Sequence, residues 1–200
     1  MVLPGAPSAA ALLVCAGISL AACGSKGDAQ VSQPPRAEPA RPVAAAVVPP
    51  EICDLYAQED QATAFEWPEL AAGPAPAAAS TWRWVNVWAT WCEPCVAEMP
   101  KLTAWRDQRA AAGQPIQLAF VSIDDADADV DAFRAAHPGS PPSVRIAGAD
   151  QRVAWLQRYG LSDGAIPIHL FVSPTNRLRC AHAGEIRDKD FAAIERMIAP

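Results

Sequence analysis

Cys92 and Cys95 stand two residues apart, with Glu93 and Pro94 between them. A cysteine pair at this spacing can close into a small disulfide ring that reopens at modest cost, so it can exchange two electrons with other thiols. The same pair is also half of a tetrahedral zinc site, but zinc needs a second ligand pair. No second Cys-x-x-Cys exists, and His137, His169 and His182 hold no motif spacing to the first, so no metal is expected. An apolar, β-prone stretch, Trp84-Val85-Asn86-Val87-Trp88, precedes the pair and a helix-compatible stretch follows it. Cys92 is therefore expected at a strand-to-helix turn, where the positive end of the helix stabilises a thiolate. That makes Cys92 the nucleophile, and Cys95, one turn deeper, the resolving thiol. Pro94 suits an early helical position and limits the ring's conformations. Glu93 places negative charge beside the thiols and opposes the helix effect. Glu98 lies about one helical turn beyond Cys95 and can share its face.

The run Asn86-Val87-Trp88-Ala89-Thr90-Trp91-Cys92-Glu93-Pro94-Cys95, followed by Glu98-Met99-Pro100, resembles the thioredoxin superfamily. More specifically it resembles the TlpA/ResA-like branch of membrane-tethered, extracytoplasmic thiol-disulfide oxidoreductases. The resemblance begins near Phe65 and continues to the end of the chain. It implies an α/β, thioredoxin-like fold with a central mixed β-sheet flanked by helices on both faces. It implies that Glu98 handles protons at the active site; the competing reading is a solvated helix carboxylate. Asn86 stands where ordinary thioredoxins carry a buried aspartate, which leaves the proton to another group. The resemblance also implies a cis peptide before Pro167, facing the cysteine pair, with Ile166 offering backbone groups to an extended substrate. Trp91, Glu93 and Pro94 complete the expected substrate-binding set. Ile166 and His169 depart from the commoner threonine-containing pattern. His169 alternates with Ile168 and Leu170 and reads as a satisfied sheet histidine.

The function implied is reduction of specific protein disulfides, for example in apocytochrome c during haem attachment, with a membrane thiol protein as electron donor. An envelope dithiol oxidase or disulfide-interchange protein would use the same two cysteines, and a non-catalytic peptide-binding lipoprotein would keep only the groove. No cofactor is implied beyond the Cys92–Cys95 disulfide itself.

Residues 1–22 read as an export signal. The apolar run ends at Leu20-Ala21-Ala22-Cys23, which resembles the bacterial lipobox and makes Cys23 the lipidated first residue of the mature protein. No Lys or Arg precedes Ala9, unlike the ordinary signal. A transmembrane anchor would need a longer apolar run. Residues 23–50 are rich in Pro, Ala and polar side chains, cannot bury a core, and read as an extended tether. Residues 51–200 then form one domain of ordinary size. The expected location is the bacterial cell envelope, facing the periplasm. The net charge of -6 argues against a nucleic-acid partner, which calls for a basic patch.

Cys15 leaves with the signal, so Cys53 and Cys180 are the thiols outside the active site and the lipid anchor. In an oxidising compartment they can pair with each other. The alternative is two free thiols, one of them a redox partner for Cys92.

Pattern places strands at 63–70, 82–89, 116–123 and 143–146, with a hairpin of 168–172 and 178–182. Helices are expected at 94–112, kinked at Pro100 and ended by Gly113; at 126–136; from a cap at Asp150 to Tyr159; and at 191–198 with Asp188 as cap. Asp125, Asp127 and Asp129 mimic the start of a calcium loop. The glycine such a loop requires is Val130 here and its bidentate glutamate is Ala136, so acidic residues opening a helix explain the run better.

Overall fold

The computed structural model describes residues 50–77, 80–162 and 165–199. The expected signal, the lipidation site at Cys23 and the tether up to residue 49 lie outside the described residues. The elements run β1 (Leu55–Tyr56), β2 (Arg83–Trp88), α1 (Glu93–Ala111), β3 (Gln117–Ser122), α2 (Asp127–Ala136), β4 (Ser143–Arg145), α3 (Ala149–Arg158), β5 (Ile168–Val172), β6 (Leu178–Ala183), a single 3-10 turn (Asp188–Asp190) and α4 (Phe191–Ile198).

The strands form one six-stranded sheet in the order β1-β6-β5-β2-β3-β4. β2, β3 and β4 are mutually parallel, while β5 runs antiparallel to β2, β6 to β5, and β1 to β6. Parallel neighbours need long crossovers, which α1 and α2 supply. The antiparallel β5–β6 pair needs only the Pro174-Thr175-Asn176 turn, where Asn176 adopts φ 63. Every residue of β2 and β5 is buried. Central strands covered on both faces read as near-continuous apolar runs, and these two do so apart from Arg83, Asn86 and His169.

Alternation along β2 sends Trp84 and Arg83 to opposite faces. On the Trp84 face, its ring meets Trp105 of α1 at 5.4 Å and Phe191 of α4 at 6.3 Å. On the other face, the Arg83 guanidinium lies 5.6 Å from the Phe65 ring, which in turn meets Trp155 of α3 and Tyr159 at its C-terminal cap. Helices therefore cover both faces. The fold is α/β and thioredoxin-like, with α2, β4 and α3 between the first parallel strands and the closing hairpin.

Three local expectations need correction. Residues 63–70 do not form a strand. They make isolated bridges at Ala64 to Arg177 and at Leu70 to Ile146, crossing the sheet from one side to the other rather than running along it. Pro68 lacks a ladder donor, and side chains take up the backbone groups that a neighbouring strand would pair: Tyr159 Oη accepts from Glu66 N at 2.8 Å, and Trp155 Nε1 donates to Glu66 O at 2.7 Å. A short strand, β1, instead lies in the preceding segment, with Tyr56 opposite Cys180. Asp150 sits inside the first turn of α3 while Gly148 holds the cap position without a side-chain bond. At α4 the Asp188 cap is replaced by the 3-10 turn, where Asp190 accepts from Arg187 N at 2.8 Å. Helix α1 continues through Pro100 and closes where Gly113 takes φ +74, a conformation that costs glycine nothing.

Candidate active site

β2 ends at Trp88, and four residues later Cys92 occupies the N-cap of α1 with extended φ/ψ of -88/94. Its Sγ accepts from Cys95 N at 3.3 Å, so a free backbone donor of the first helical turn points at the sulfur. Pro94 falls in the first helical turn, where its missing N–H costs nothing. Cys92 and Cys95 are joined by a disulfide, with Cα atoms 5.2 Å apart. Cys92 is 4% exposed and Cys95 is fully buried, so an incoming thiol reaches Cys92 first. Trp91 beside it is 68% exposed, in contrast to the six other tryptophans, which are at least partly buried. Glu93 and Pro94 are exposed as well.

The turn between β2 and α1 is held by Asp124, a residue that sequence reading placed only within an acidic run. Its buried carboxylate accepts from Thr90 Oγ1 at 2.7 Å, from Thr90 N at 3.1 Å and from Ser122 Oγ at 2.6 Å. Its position directly after β3, next to β2 in the sheet, was the available signal. Of the remaining acidic run, Asp127 pairs with Arg145 at 2.6 Å, and that bond holds its carboxyl below the usual aspartate range.

Glu98 is not the solvated helix carboxylate of the competing reading: it is 0% exposed. It lies on the buried face of α1 with Cys95, Met99, Leu102 and Trp105. Its Oε1 accepts from Asn86 Nδ2 at 2.7 Å and its Oε2 from Ile186 N at 3.0 Å. His169 Nε2 lies 3.4 Å from Oε1. The strand histidine and the expected proton-handling carboxylate thus share one buried cluster, a relation that spacing along the chain could not reveal. Pairing of Asn86 with His169 across β2 and β5 creates it.

The Ile166–Pro167 peptide is cis. Val87 pairs with Ile168, so Pro167 falls at the end of the sheet where β2 gives way to the Cys92 turn. Pro167 O accepts from Gly184 N at 2.9 Å, and Ile166 is partly exposed. Cys53 and Cys180 form a disulfide with each other, 5.4 Å between Cα atoms, rather than standing as free thiols. That bridge is set at the β1–β6 edge: Cys180 lies level with Phe171 and, across it, with Trp84, four residues before the end of β2.

His182 on β6 stacks on His169 with ring centroids 6.0 Å apart, and its Nδ1 is 3.1 Å from Asp54 Oδ2. Burial opposes the His182 imidazolium and His169 adds to that, so its pKa lies below the ordinary histidine value despite Asp54. The unfolded chain then binds more protons than the native one. This contribution to stability is complete above the ordinary histidine pKa of about 6.5 and declines as pH falls below it. Denaturant midpoints recorded from about pH 7.5 down to about pH 5 are expected to fall, and to fall less steeply in His182→Gln. Equal slopes for the two proteins would refute that assignment.

No group of three or more His, Cys, Asp or Glu side chains among the described residues is arranged to hold a metal ion. Nor does any described helix have the length and apolarity to cross a membrane.

No family model matches this chain, and no curated protein does. Solved structures do. A Neisseria meningitidis protein solved in solution and classed with the thioredoxins is 19% identical with a TM-score of 0.50, covering 68% of this chain and 88% of that one. A thioredoxin-family thiol:disulfide interchange protein from Chlorobium tepidum is 16% identical with a TM-score of 0.49, covering 68% and 99%. The pneumococcal exposed lipoprotein thioredoxin of Streptococcus pneumoniae is 16% identical with a TM-score of 0.49, covering 60% and 87%. At 19% identity the first of these likenesses supports the thioredoxin-like fold and nothing finer.

Proposed function

We propose that this chain is a thiol-disulfide oxidoreductase of the bacterial cell envelope, tethered by lipid on Cys23, that reduces disulfides in other proteins. The observation that carries the reading is the Cys92–Cys95 bridge closed across the first turn of α1, with the backbone N–H of Cys95 aimed at Cys92 Sγ beside an exposed Trp91. A simple peptide clamp has no use for a second thiol.

The reaction runs from the reduced pair. Cys92 thiolate attacks one sulfur of the substrate disulfide, and the other substrate sulfur leaves as a thiolate. Cys95 gives up its proton, attacks Cys92 Sγ and releases the second substrate sulfur. The substrate gains two electrons, and the protein is left with the Cys92–Cys95 disulfide. A membrane thiol protein restores the dithiol. Glu98 exchanges the Cys95 proton, supported by its place on the same buried helix face. Trp91, Glu93, Pro94, Ile166 and Pro167 form the surface on which the substrate backbone lies. Reduction of apocytochrome c is the substrate reading that the sequence resemblance offers; an oxidase role would run the same exchange in reverse, and an interchange role would run it forward and back with no net electron transfer.

The test is reduction of insulin disulfides by the full chain, supplied with dithiothreitol. Acceleration well above dithiothreitol alone supports the proposal, and a rate equal to that background rejects it.

A further inference from the structure

Trp84 Nε1 is 3.1 Å from His169 Nδ1. An indole nitrogen only donates, so Nδ1 must be the acceptor, and the hydrogen of the neutral ring is left on Nε2. Asn86 Nδ2, a second donor, also lies on the Nδ1 side at 3.4 Å. Nε2 makes no well-aligned hydrogen bond among the described residues, and Glu98 Oε1 lies 3.4 Å from it. Asn86 Oδ1, in the same cluster, also lacks a partner. Trp84, Asn86, Glu98 and His169 are all 0% exposed. Unpaired buried polar atoms are costly, and two of them beside one carboxylate call for a reason other than packing.

We infer that His169 is a positioning residue for the thiol chemistry: Trp84 fixes its tautomer, and its Nε2–H then directs Oε1 of Glu98. The inference rests on the proton-exchange role proposed for Glu98. Asn86 from β2, Ile186 N from the segment after β6, and His169 from β5 approach the carboxylate from three elements. Glu98 is thereby held in one orientation on the helix face it shares with Cys95. When an external dithiol opens the bridge, its thiolate attacks Cys92 Sγ. The Cys92–Cys95 bond breaks, and the electron pair leaves on Cys95 Sγ, which takes up the proton that Glu98 exchanges. A carboxylate freed to rotate performs that exchange less often.

The experiment is a double-mutant cycle in the full chain, read as the rate at which dithiothreitol reduces the Cys92–Cys95 disulfide at about pH 7. His169→Leu is expected to slow the reaction roughly tenfold, the scale of losing a buried polar N–H that faces the carboxyl group. His169→Gln, which can present an N–H near the position of Nε2, should recover most of that loss. In a Glu98→Gln background, His169→Leu should change the rate by less than about twofold, because the group it acts through is already gone. An equal fold-change in both backgrounds overturns the inference while leaving the Glu98 role standing. A Glu98→Gln protein as fast as wild type overturns both. Should His169→Leu not fold, nitrogen NMR of the wild-type imidazole decides: the Nε2–H tautomer supports the inference and the Nδ1–H tautomer refutes it.

Discussion

Cys92→Ser is expected to abolish insulin reduction, leaving the background rate of dithiothreitol, whereas Cys95→Ser is expected to stop after the first step. A hydroxyl has no thiolate form at neutral pH and cannot make the mixed disulfide. The loss should reach at least about a thousandfold, because Cys95 is fully buried and cannot attack in its place. Cys95→Ser keeps the nucleophile Cys92 but removes the group that resolves it. It should accumulate as a covalent adduct with substrate, visible as a shifted band on a non-reducing gel and removed by reductant. Both replacements are close in size and sit at the start of α1, so thermal unfolding should show a folded protein in each case. An active Cys92→Ser protein, or a Cys95→Ser protein that traps nothing, would contradict the assigned order of attack.

The second large effect concerns the other bridge. Replacing Cys53 and Cys180 together by alanine is expected to destabilise the domain by about 2–5 kcal/mol. The bridge closes a loop with a sequence separation of 127, so it removes much of the freedom of the unfolded chain. It also fastens β1, a two-residue strand at the edge of the sheet, to β6. Denaturant unfolding should show a lower midpoint, with insulin reduction intact well below the transition because Cys180 lies level with Trp84 rather than with the Cys92 turn. A midpoint unchanged within error would remove the structural role, and lost activity in the folded variant would tie the bridge to the redox chemistry.

What the sequence made legible follows from how local each feature is. The turn at Cys92 was readable because an apolar strand, an N-cap position and an early proline all fall within one short stretch. β2, α1, β3 and the closing hairpin were readable because buried central strands and capped helices each carry their own pattern. The strap at residues 63–70 misled because Phe65 and Trp67 alternate as a strand would. Their partners, however, are Tyr159, Trp155 and Arg83 from different elements. β1 was invisible because two residues carry no period. The surroundings of Glu98 were the least accessible part of the site. Asn86, His169 and Ile186 converge on it only once β2 pairs with β5 and the chain after β6 returns over α1. His169 looked like a filler between Ile168 and Leu170 for the same reason, since its partners come from other elements. Asp124 was hidden inside a run of like residues whose other members face solvent or pair with Arg145.

The reductase reading is tested most directly by the equilibrium reduction potential of the Cys92–Cys95 couple in the full chain, measured against glutathione and dithiothreitol buffers. The account predicts a value near or below about -250 mV, at which the dithiol gives its electrons to most envelope disulfides. A value between about -150 and -120 mV would make the pair an oxidant and contradict reduction of protein disulfides as the function.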